Sequence, residues 1–184
     1  MQRAVQHLRE TGVPHAESLR CPAFLDFVLG ADLDQACEAV AEQLGKHGLG
    51  YPFVIKLLQA SRTTHAHSFF VVNGPAGLRE ALAFEGFQGQ HLLLQEWLQH
   101  HEQLYKLYCV GPARFDYVIK PSIPQSAVEA SPAFFFQTRM KFEKAAYTGF
   151  DLTPRIPEEV FAVIARDVAA GYFGLNLTGI DILI

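Results

Sequence analysis

The stretch "LYKLYCVGPARFDYVIKPS", residues 104–122, constrains the fold more than any other part of the chain. It contains two runs rich in β-branched and aromatic residues, which favour strands. Gly111 and Pro112 join the two runs and favour a turn between them. Because side chains alternate between the two faces of a strand, Lys106 falls on the face of Leu104, Tyr108 and Val110, and the opposite face carries Tyr105, Leu107 and Cys109. We therefore expect an antiparallel hairpin with a lysine in the middle of its first strand.

Helical and strand patterns alternate along the rest of the chain. The stretch "ADLDQACEAVAEQLGKHG" has apolar residues at helical spacing, acidic residues at its start and a glycine at its end, which predicts a helix. Further helices are predicted for residues 1–12, "GPAGLREALAF" and "PEEVFAVIARDVAAG", and strands for "CPAFLDFVL", "YPFVIK", "HAHSFFVV", "HLLLQEW" and "LTGIDILI". Residues 123–150 are expected to be irregular, with the aromatic group at 134–136 in the core. The predicted class is α+β with mainly antiparallel sheets and flanking helices.

Composition narrows the class of protein. The 184 residues are 49% hydrophobic, enough for one sizeable core, and the net charge of -4 argues against a protein that mainly coats nucleic acid or an anionic membrane. The three cysteines have no CxxC spacing, so neither a disulfide framework nor a zinc site is indicated. The sequence contains no apolar run of membrane-spanning length. We expect a cytoplasmic protein, and the sequence leaves its oligomeric state open.

Charged residues at strand positions are the main candidates for function. Lys56 ends "YPFVIK", Lys106 lies within the hairpin, and Lys120 ends "FDYVIK". Asp181 lies in the apolar run "LTGIDILI", with Ile180 and Ile182 on the opposite face, where an ionised carboxylate is costly without a partner. A lysine that reaches solvent from a strand edge, and an aspartate at a strand end, remain the simple alternatives. Together, the four residues favour a site for a polyanion and a metal ion.

The histidines and glycines add little specificity. In "HAH", a strand would place His65 and His67 on one side, but no third zinc ligand is evident, and a role for His67 in contacting phosphate is favoured. His100 and His101 are interpreted as loop residues. The motifs GxxxxGK[ST], GxGxxG and GxSxG are absent, so a bound nucleotide would need a different scaffold.

Four segments, in this order and spacing, carry a family resemblance: "YPFVIK", "QEWLQHHEQLYKLYCVG", "VIKPSI" and "GIDILI". Through them the chain resembles the inositol-tetrakisphosphate 1-kinase family, also called inositol 1,3,4-trisphosphate 5/6-kinases, over essentially its whole length. The resemblance implies an ATP-grasp fold. It implies a first subdomain, residues 1–92, with a phosphate-binding loop, and a second, residues 93–184, truncated before the last metal-binding strand.

The resemblance also implies a set of site residues. ATP would be bound by Arg3, Lys56, Gln95, Glu96, Trp97, Lys106 and Ser122, with residues 95–106 as the adenine-binding hinge, and no catalytic residue is identified. His67 and Lys106 would bind the inositol phosphate, and Asp181 would be a magnesium ligand. The implied activity is an ATP- and Mg²⁺-dependent kinase that phosphorylates a hydroxyl of a soluble inositol polyphosphate by direct transfer.

Departures from the family leave other functions open. The family's N-terminal domain is absent from this sequence, as are the second aspartate and the asparagine that complete its metal site, and the loop after Lys56 has no glycine. We therefore expect a fragment, incomplete at both ends, with an exposed edge at its last strand and little or no kinase activity by itself. The alternatives are an ATP-grasp ligase-like enzyme, and a catalytically incomplete pseudo-enzyme or binding module for nucleotide or inositol phosphate.

Overall fold

The structure is a computed structural model that describes residues 1–59, 64–100, 103–137 and 153–183. The chain divides into two compact units. The five-stranded unit comprises residues 22–98 and 123–146, and the three-stranded unit comprises residues 1–21, 99–122 and 147–184. Each unit is built from separate stretches of sequence, whereas the expected ATP-grasp subdomains, 1–92 and 93–184, are continuous. The assignment of those subdomains stays a prediction.

The five-stranded unit is an antiparallel sheet with helices. Its strands lie in the order β1-β4-β2-β3-β7. They are β1 (Phe24–Val28), β2 (Phe53–Leu57), β3 (Ser68–Val72), β4 (His91–Glu96) and β7 (Ala133–Gln137). The helices are α2 (Leu33–Lys46), α3 (Pro75–Leu82) and the short α4 (Gln125–Glu129).

Local sequence explains where the helices of this unit begin and end. Asp32 caps α2, because its carboxylate accepts hydrogen bonds from the amides of Asp34 and Gln35, both at 3.0 Å. Gly48, just past the end of α2, has a φ of 64°, a conformation that glycine adopts at little cost. Pro75 begins α3, where its missing N–H leaves no bond unmade.

Apolar side chains pack on both faces of this sheet. On one face, Phe53, Ile55 and Leu57 of β2 pack in a buried cluster with Val40 and Leu44 of α2 and with Leu78 and Leu82 of α3. On the other face, Val54 and Val71 form a smaller cluster with Val128 of α4. Lys56 alternates with Ile55 and Leu57 along β2 and therefore lies on the face of Val54, away from α2 and α3.

The three-stranded unit contains an antiparallel sheet in the order β6-β5-β8. Its strands are β5 (Gln103–Val110), β6 (Arg114–Pro121) and β8 (Leu177–Leu183). The helices are α1 (Gln2–Glu10) and α5 (Glu158–Val163), which continues with π-helical hydrogen bonding through Ile164–Tyr172. One face of β5, with Tyr105, Leu107 and Cys109, is buried in a cluster with Phe161, Ile164 and Val168, and the opposite face is open.

Much of the predicted secondary structure is confirmed. The hairpin around Gly111, the extended segment before residue 30, the helices in 1–12 and 31–48, and the last strand are all present. All described strand pairs are antiparallel. The face alternation predicted for residues 104–110 is confirmed by the burial along β5. Within the described part of the chain, β8 has one partner strand, β5, and no helix is long and apolar enough to cross a bilayer.

Three expectations are wrong. Residues 123–150 are not uniformly irregular, because α4 and β7 form there and β7 pairs with β3; residues 138–150 lie outside the described part. The aromatic group at 134–136 is only partly core, since β7 is an edge strand and Phe135 is 36% exposed. In addition, "HAH" is not part of a strand, because β3 begins only at Ser68 and His65 and His67 lie in the preceding turn.

Candidate functional site

A lysine and an aspartate face each other on neighbouring strands of the three-stranded unit. In the register of β5 with β8, Lys106 lies directly opposite Asp181, although the two are 75 residues apart in sequence. Lys106 Nζ donates to Asp181 Oδ1 at 3.1 Å. Their side chains are 32% and 61% exposed, on the open face of the sheet. Asp181 lies in an apolar stretch of sequence, but in the structure its carboxylate has a cationic partner and access to solvent.

The pair borders a depression of about 330 Å³. Its lining includes Lys106 and Asp181, and Tyr108 and Gly179 from the next position along each strand. A Cβ on Gly179 would lie 3.9 Å from the Tyr108 ring, so the glycine leaves that ring uncovered. The depression thus combines a cation, a carboxylate and an exposed aromatic ring.

The electrostatics of this pair allow it to exchange partners. Ion pairs between exposed side chains contribute about 0.2–1 kcal/mol, because water screens the charges and both side chains lose freedom. Replacing Asp181 by a phosphate oxygen at Lys106 would therefore cost little. The pair can accommodate either an anion at Nζ or a cation at the carboxylate.

Lys120 lies on the same open face. It pairs with Leu104 across the hairpin, two positions from the pair of Lys106 with Val118. Diagonal neighbours of this kind have Cβ atoms about 7–8 Å apart. Lys120 is therefore a diagonal neighbour of Lys106 on the open face, but β5 separates its strand from the strand of Asp181.

A second polar contact joins the two ends of the hairpin. Because β5 and β6 are antiparallel, the start of β5 lies beside the end of β6, and Gln103 pairs with Pro121. Just beyond that pair, His100 Nε2 and Ser122 Oγ are 2.8 Å apart and share a hydrogen bond, with the donor set by the tautomer of the imidazole. His100 is only 9% exposed. The sequence interpretation as an ordinary loop residue missed this contact; the closeness of residues 100 and 122 to the open end of the predicted hairpin, where its two strands lie side by side, was the signal that could have found it.

Lys56 and Gln95 meet in the five-stranded unit. Lys56 Nζ donates to Gln95 Oε1 at 2.8 Å, on the sheet face away from α2 and α3. Burial lowers the pKa of the Lys56 ammonium, since the charged form is poorly solvated there. An anion placed against Nζ would offset that cost. The structure thus brings together two residues that the resemblance assigns to ATP binding.

The residues after Gln95 are bonded within the same unit. The Glu96 amide donates to the carbonyl of Ala23 at 2.8 Å, and the Glu96 carboxylate accepts from the Ala23 amide at 3.1 Å. The Trp97 amide donates to the carbonyl of Pro52 at 3.4 Å, and the Trp97 ring packs against the cluster of Val54 and Val71. Pairing of this backbone with adenine remains a prediction.

The other expected site residues are exposed. Arg3 lies in the first turn of α1, and His67 in the turn before β3. His65 contacts the Phe84 ring edge-on, with centroids 5.2 Å apart. The described residues contain no group of three or more His, Cys, Asp or Glu side chains arranged to hold a metal ion. The loop expected to bind phosphate lies partly outside the described residues, at 60–63, as does His101.

Comparison with known proteins defines the class. Residues 16–184 match the family model described as the inositol 1,3,4-trisphosphate 5/6-kinase ATP-grasp domain. With its antiparallel sheets and flanking helices, the chain is thus an α+β protein of the ATP-grasp class, as predicted. It belongs to the inositol 1,3,4-trisphosphate 5/6-kinase ATP-grasp domain family.

The individual proteins that the chain resembles share no more than 28% of its sequence. The chain is 28% identical over 154 residues to inositol-tetrakisphosphate 1-kinase of Danio rerio, which covers 78% of this chain and 36% of the relative. Among solved structures, it is similar to macrocyclase MdnC from Microcystis aeruginosa MRC, bound with precursor peptide MdnA (TM-score 0.46, 17% identity, 100% of this chain and 46% of that chain). It is also similar to ATP-grasp ligase PsnB complexed with a minimal precursor (TM-score 0.44, 16% identity, 98% and 46%). The chain therefore spans about a third of the length of this curated relative and less than half of these structures.

Proposed function

We propose that this chain is part of an ATP- and Mg²⁺-dependent kinase that phosphorylates a hydroxyl of a soluble inositol polyphosphate. The observation that carries the proposal is the pair of Lys106 and Asp181, opposite each other on the open face of a sheet, in a chain that matches the kinase family over residues 16–184. Phosphoryl transfer asks a protein mainly for positioning and for neutralisation of charge. A lysine beside an exposed carboxylate supplies both signs of charge needed for that task.

The proposed roles are those that the family resemblance implies. Lys56 binds ATP phosphate, and Lys106 binds phosphates of ATP and of the inositol substrate, with His67 as a second substrate contact. The remaining nucleotide contacts are assigned to Arg3, Gln95, Glu96, Trp97 and Ser122. Asp181 fits one ligand position for Mg²⁺, which is commonly bound through one or two carboxylates and the substrate's phosphates.

The pair suggests how the charges are used. As phosphates arrive, the Lys106 ammonium moves from Asp181 to a phosphate oxygen, which frees the carboxylate to bind a cation. Bound Mg²⁺ would supply neutralisation of the charge on the β- and γ-phosphates. The Lys56 ammonium, held at Gln95, is ready to receive a phosphate without leaving its strand face.

A binding module without catalysis is the second candidate. One observation favours it: Asp181 already has the Lys106 ammonium as its partner, so the carboxylate is neutralised without a metal ion. Such a module would bind nucleotide or inositol phosphate through its lysines, and its affinity for ATP would not depend on Mg²⁺.

Titration with ATP, with and without Mg²⁺, tests the nucleotide site. The single tryptophan, Trp97, provides a fluorescence signal within the proposed hinge. Lys106→Ala is expected to weaken ATP binding about 10- to 100-fold, the loss of a charge-assisted contact of about 1.5–3 kcal/mol. Asp181→Asn is expected to abolish the effect of Mg²⁺ on affinity, and Lys46→Ala, a surface lysine paired with Glu42, is the control.

Transfer of labelled γ-phosphate to inositol polyphosphates tests the kinase reaction. Transfer by the chain that depends on Lys106 supports the kinase. ATP binding that ignores Mg²⁺ contradicts the kinase and supports the binding module, whereas absence of transfer alone does not, because the chain by itself is expected to have little or no kinase activity. Because the ion pair is exposed, Lys106→Ala and Asp181→Asn should each change the free energy of unfolding by no more than about 1 kcal/mol, so losses of binding do not reflect unfolding.

A further inference from the structure

We propose that His100 is a positioning residue for the nucleotide: its imidazole holds the Ser122 hydroxyl so that the hydroxyl proton points to an acceptor atom of bound ATP. The inference rests on the proposed function, because it requires Ser122 to contact nucleotide. It adds a residue for which neither the sequence patterns nor the family resemblance suggested an individual role.

The hairpin explains why the two side chains meet. The last pair at this end of β5 and β6 is Gln103 with Pro121, and Gln103 is fully buried, so the end of the hairpin is fixed. His100 precedes that pair and Ser122 follows it, and their side chains are joined by a hydrogen bond of 2.8 Å. The contact therefore belongs to the hairpin that also carries Lys106 and Lys120.

The placement fits a ligand that extends along β6. Lys106 pairs with Val118, four residues before Ser122. At about 3.3 Å per residue, this separates the two positions by roughly 13 Å. An extended nucleotide can span that distance with its phosphates near Lys106 and another part of the molecule near Ser122.

The hydrogen-bond donors and acceptors of the two side chains, together with the burial of His100, define the role of the histidine. A serine hydroxyl has one proton and can also accept, and a neutral imidazole donates from one nitrogen and accepts at the other. If Nε2–H donates to Ser122 Oγ, the serine proton remains available for an oxygen or nitrogen acceptor of the ligand. Because His100 is nearly buried, its ring is shielded from solvent and does not itself form a hydrogen bond to that ligand atom. Fixing a hydroxyl before binding reduces the ordering cost at the moment of binding.

A double-mutant cycle on the full chain tests this positioning role, with Mg·ATP as the titrant and Trp97 fluorescence as the signal. We expect Ser122→Ala and His100→Ala each to weaken ATP binding about 3- to 10-fold, the effect of one neutral hydrogen bond. The effect of His100→Ala should vanish in the Ser122→Ala background, because His100 acts through Ser122. His100→Gln, whose side-chain amide can donate from a similar position, should restore binding to within about 3-fold of wild type.

Each outcome has a distinct meaning. Equal effects of His100→Ala with and without Ser122 would overturn the positioning role and indicate a purely structural histidine. Unchanged affinity in His100→Ala would overturn it as well, while leaving the kinase proposal intact. Unchanged affinity in Ser122→Ala would also overturn it and would remove Ser122 from the nucleotide contacts, but the kinase proposal would still rest on Lys106 and Asp181. Failure of wild type to bind ATP would overturn both proposals. His47 is exposed, so His47→Ala is the matched control and should bind ATP as wild type does. If His100→Ala does not fold, Ser122→Ala and His100→Gln test the positioning role instead, since only a hydrogen-bond donor at position 100 should preserve affinity.

Discussion

Removal of one buried hydroxyl, by Tyr105→Phe, should measurably destabilise the three-stranded unit. Tyr105 is 0% exposed, and its hydroxyl donates to Gln103 Oε1 at 2.9 Å and accepts from the Arg155 amide at 2.8 Å. The phenylalanine ring fills the same space, so the loss is one of hydrogen bonding. A buried polar group left without its partner costs about 1–3 kcal/mol. Gln103 is fully buried, whereas the Arg155 amide is only partly buried and can turn to water, so we expect a loss of about 2 kcal/mol.

Urea unfolding followed by far-UV circular dichroism measures this loss. With a slope of about 2 kcal/mol per M, the midpoint should fall by about 1 M and the slope should stay unchanged. Tyr108→Phe is the control, because Tyr108 lies three residues further along the same strand, on its open face, and is 46% exposed. It should shift the unfolding free energy by less than about 0.5 kcal/mol. Equal midpoints for the two variants would refute the reasoning that the buried hydroxyl supports the hairpin.

Two further predictions concern the five-stranded unit. Burial lowers the pKa of Lys56 below its ordinary value of 10.5, so the folded chain binds fewer protons than the unfolded chain between the lowered value and 10.5. Wild type should therefore gain stability relative to Lys56→Met as pH rises through that window, measured as the difference in unfolding free energy; a difference independent of pH would contradict the effect of burial. Gly77→Ala should destabilise by about 1–3 kcal/mol, because its Cβ would overlap the carbonyl of Pro132. In thermal unfolding, the control Gly45→Ala, which meets nothing within 4 Å, should be neutral or stabilising; equal behaviour of the two would refute the close approach.

Local patterns in the sequence were sufficient for most elements. The helix α2 is specified by its apolar spacing, by the cap at Asp32 and by Gly48, all within one stretch of chain. The β5–β6 hairpin is specified by alternation on either side of the turn at Gly111, which also placed Lys106 on the open face. These features depend on neighbours in sequence, so sequence alone can predict them.

The strand β7 and the turn at "HAH" were missed because both depend on pairing with strands that are distant in sequence. Residues 133–137 are three phenylalanines between an alanine and a glutamine, with no alternation of polar and apolar residues. Their strand structure depends on pairing with β3, about 65 residues earlier in the chain. His65 and His67 lie beside a β-rich run, but the pairing of β3 stops at Ser68. Only the partner strand decides where such a run begins.

The candidate site divides in the same way. The sequence by itself determined which residues bear charge on strands, namely Lys56, Lys106 and Asp181, and the family to which the ordered motifs point. Tertiary structure decided the partners: Asp181 opposite Lys106, Gln95 at the ammonium of Lys56, and His100 at the hydroxyl of Ser122. Side-chain alternation has a period of two along one strand, but a cross-strand contact requires the register between strands that lie far apart in sequence, and that register is set by the packing of the whole sheet.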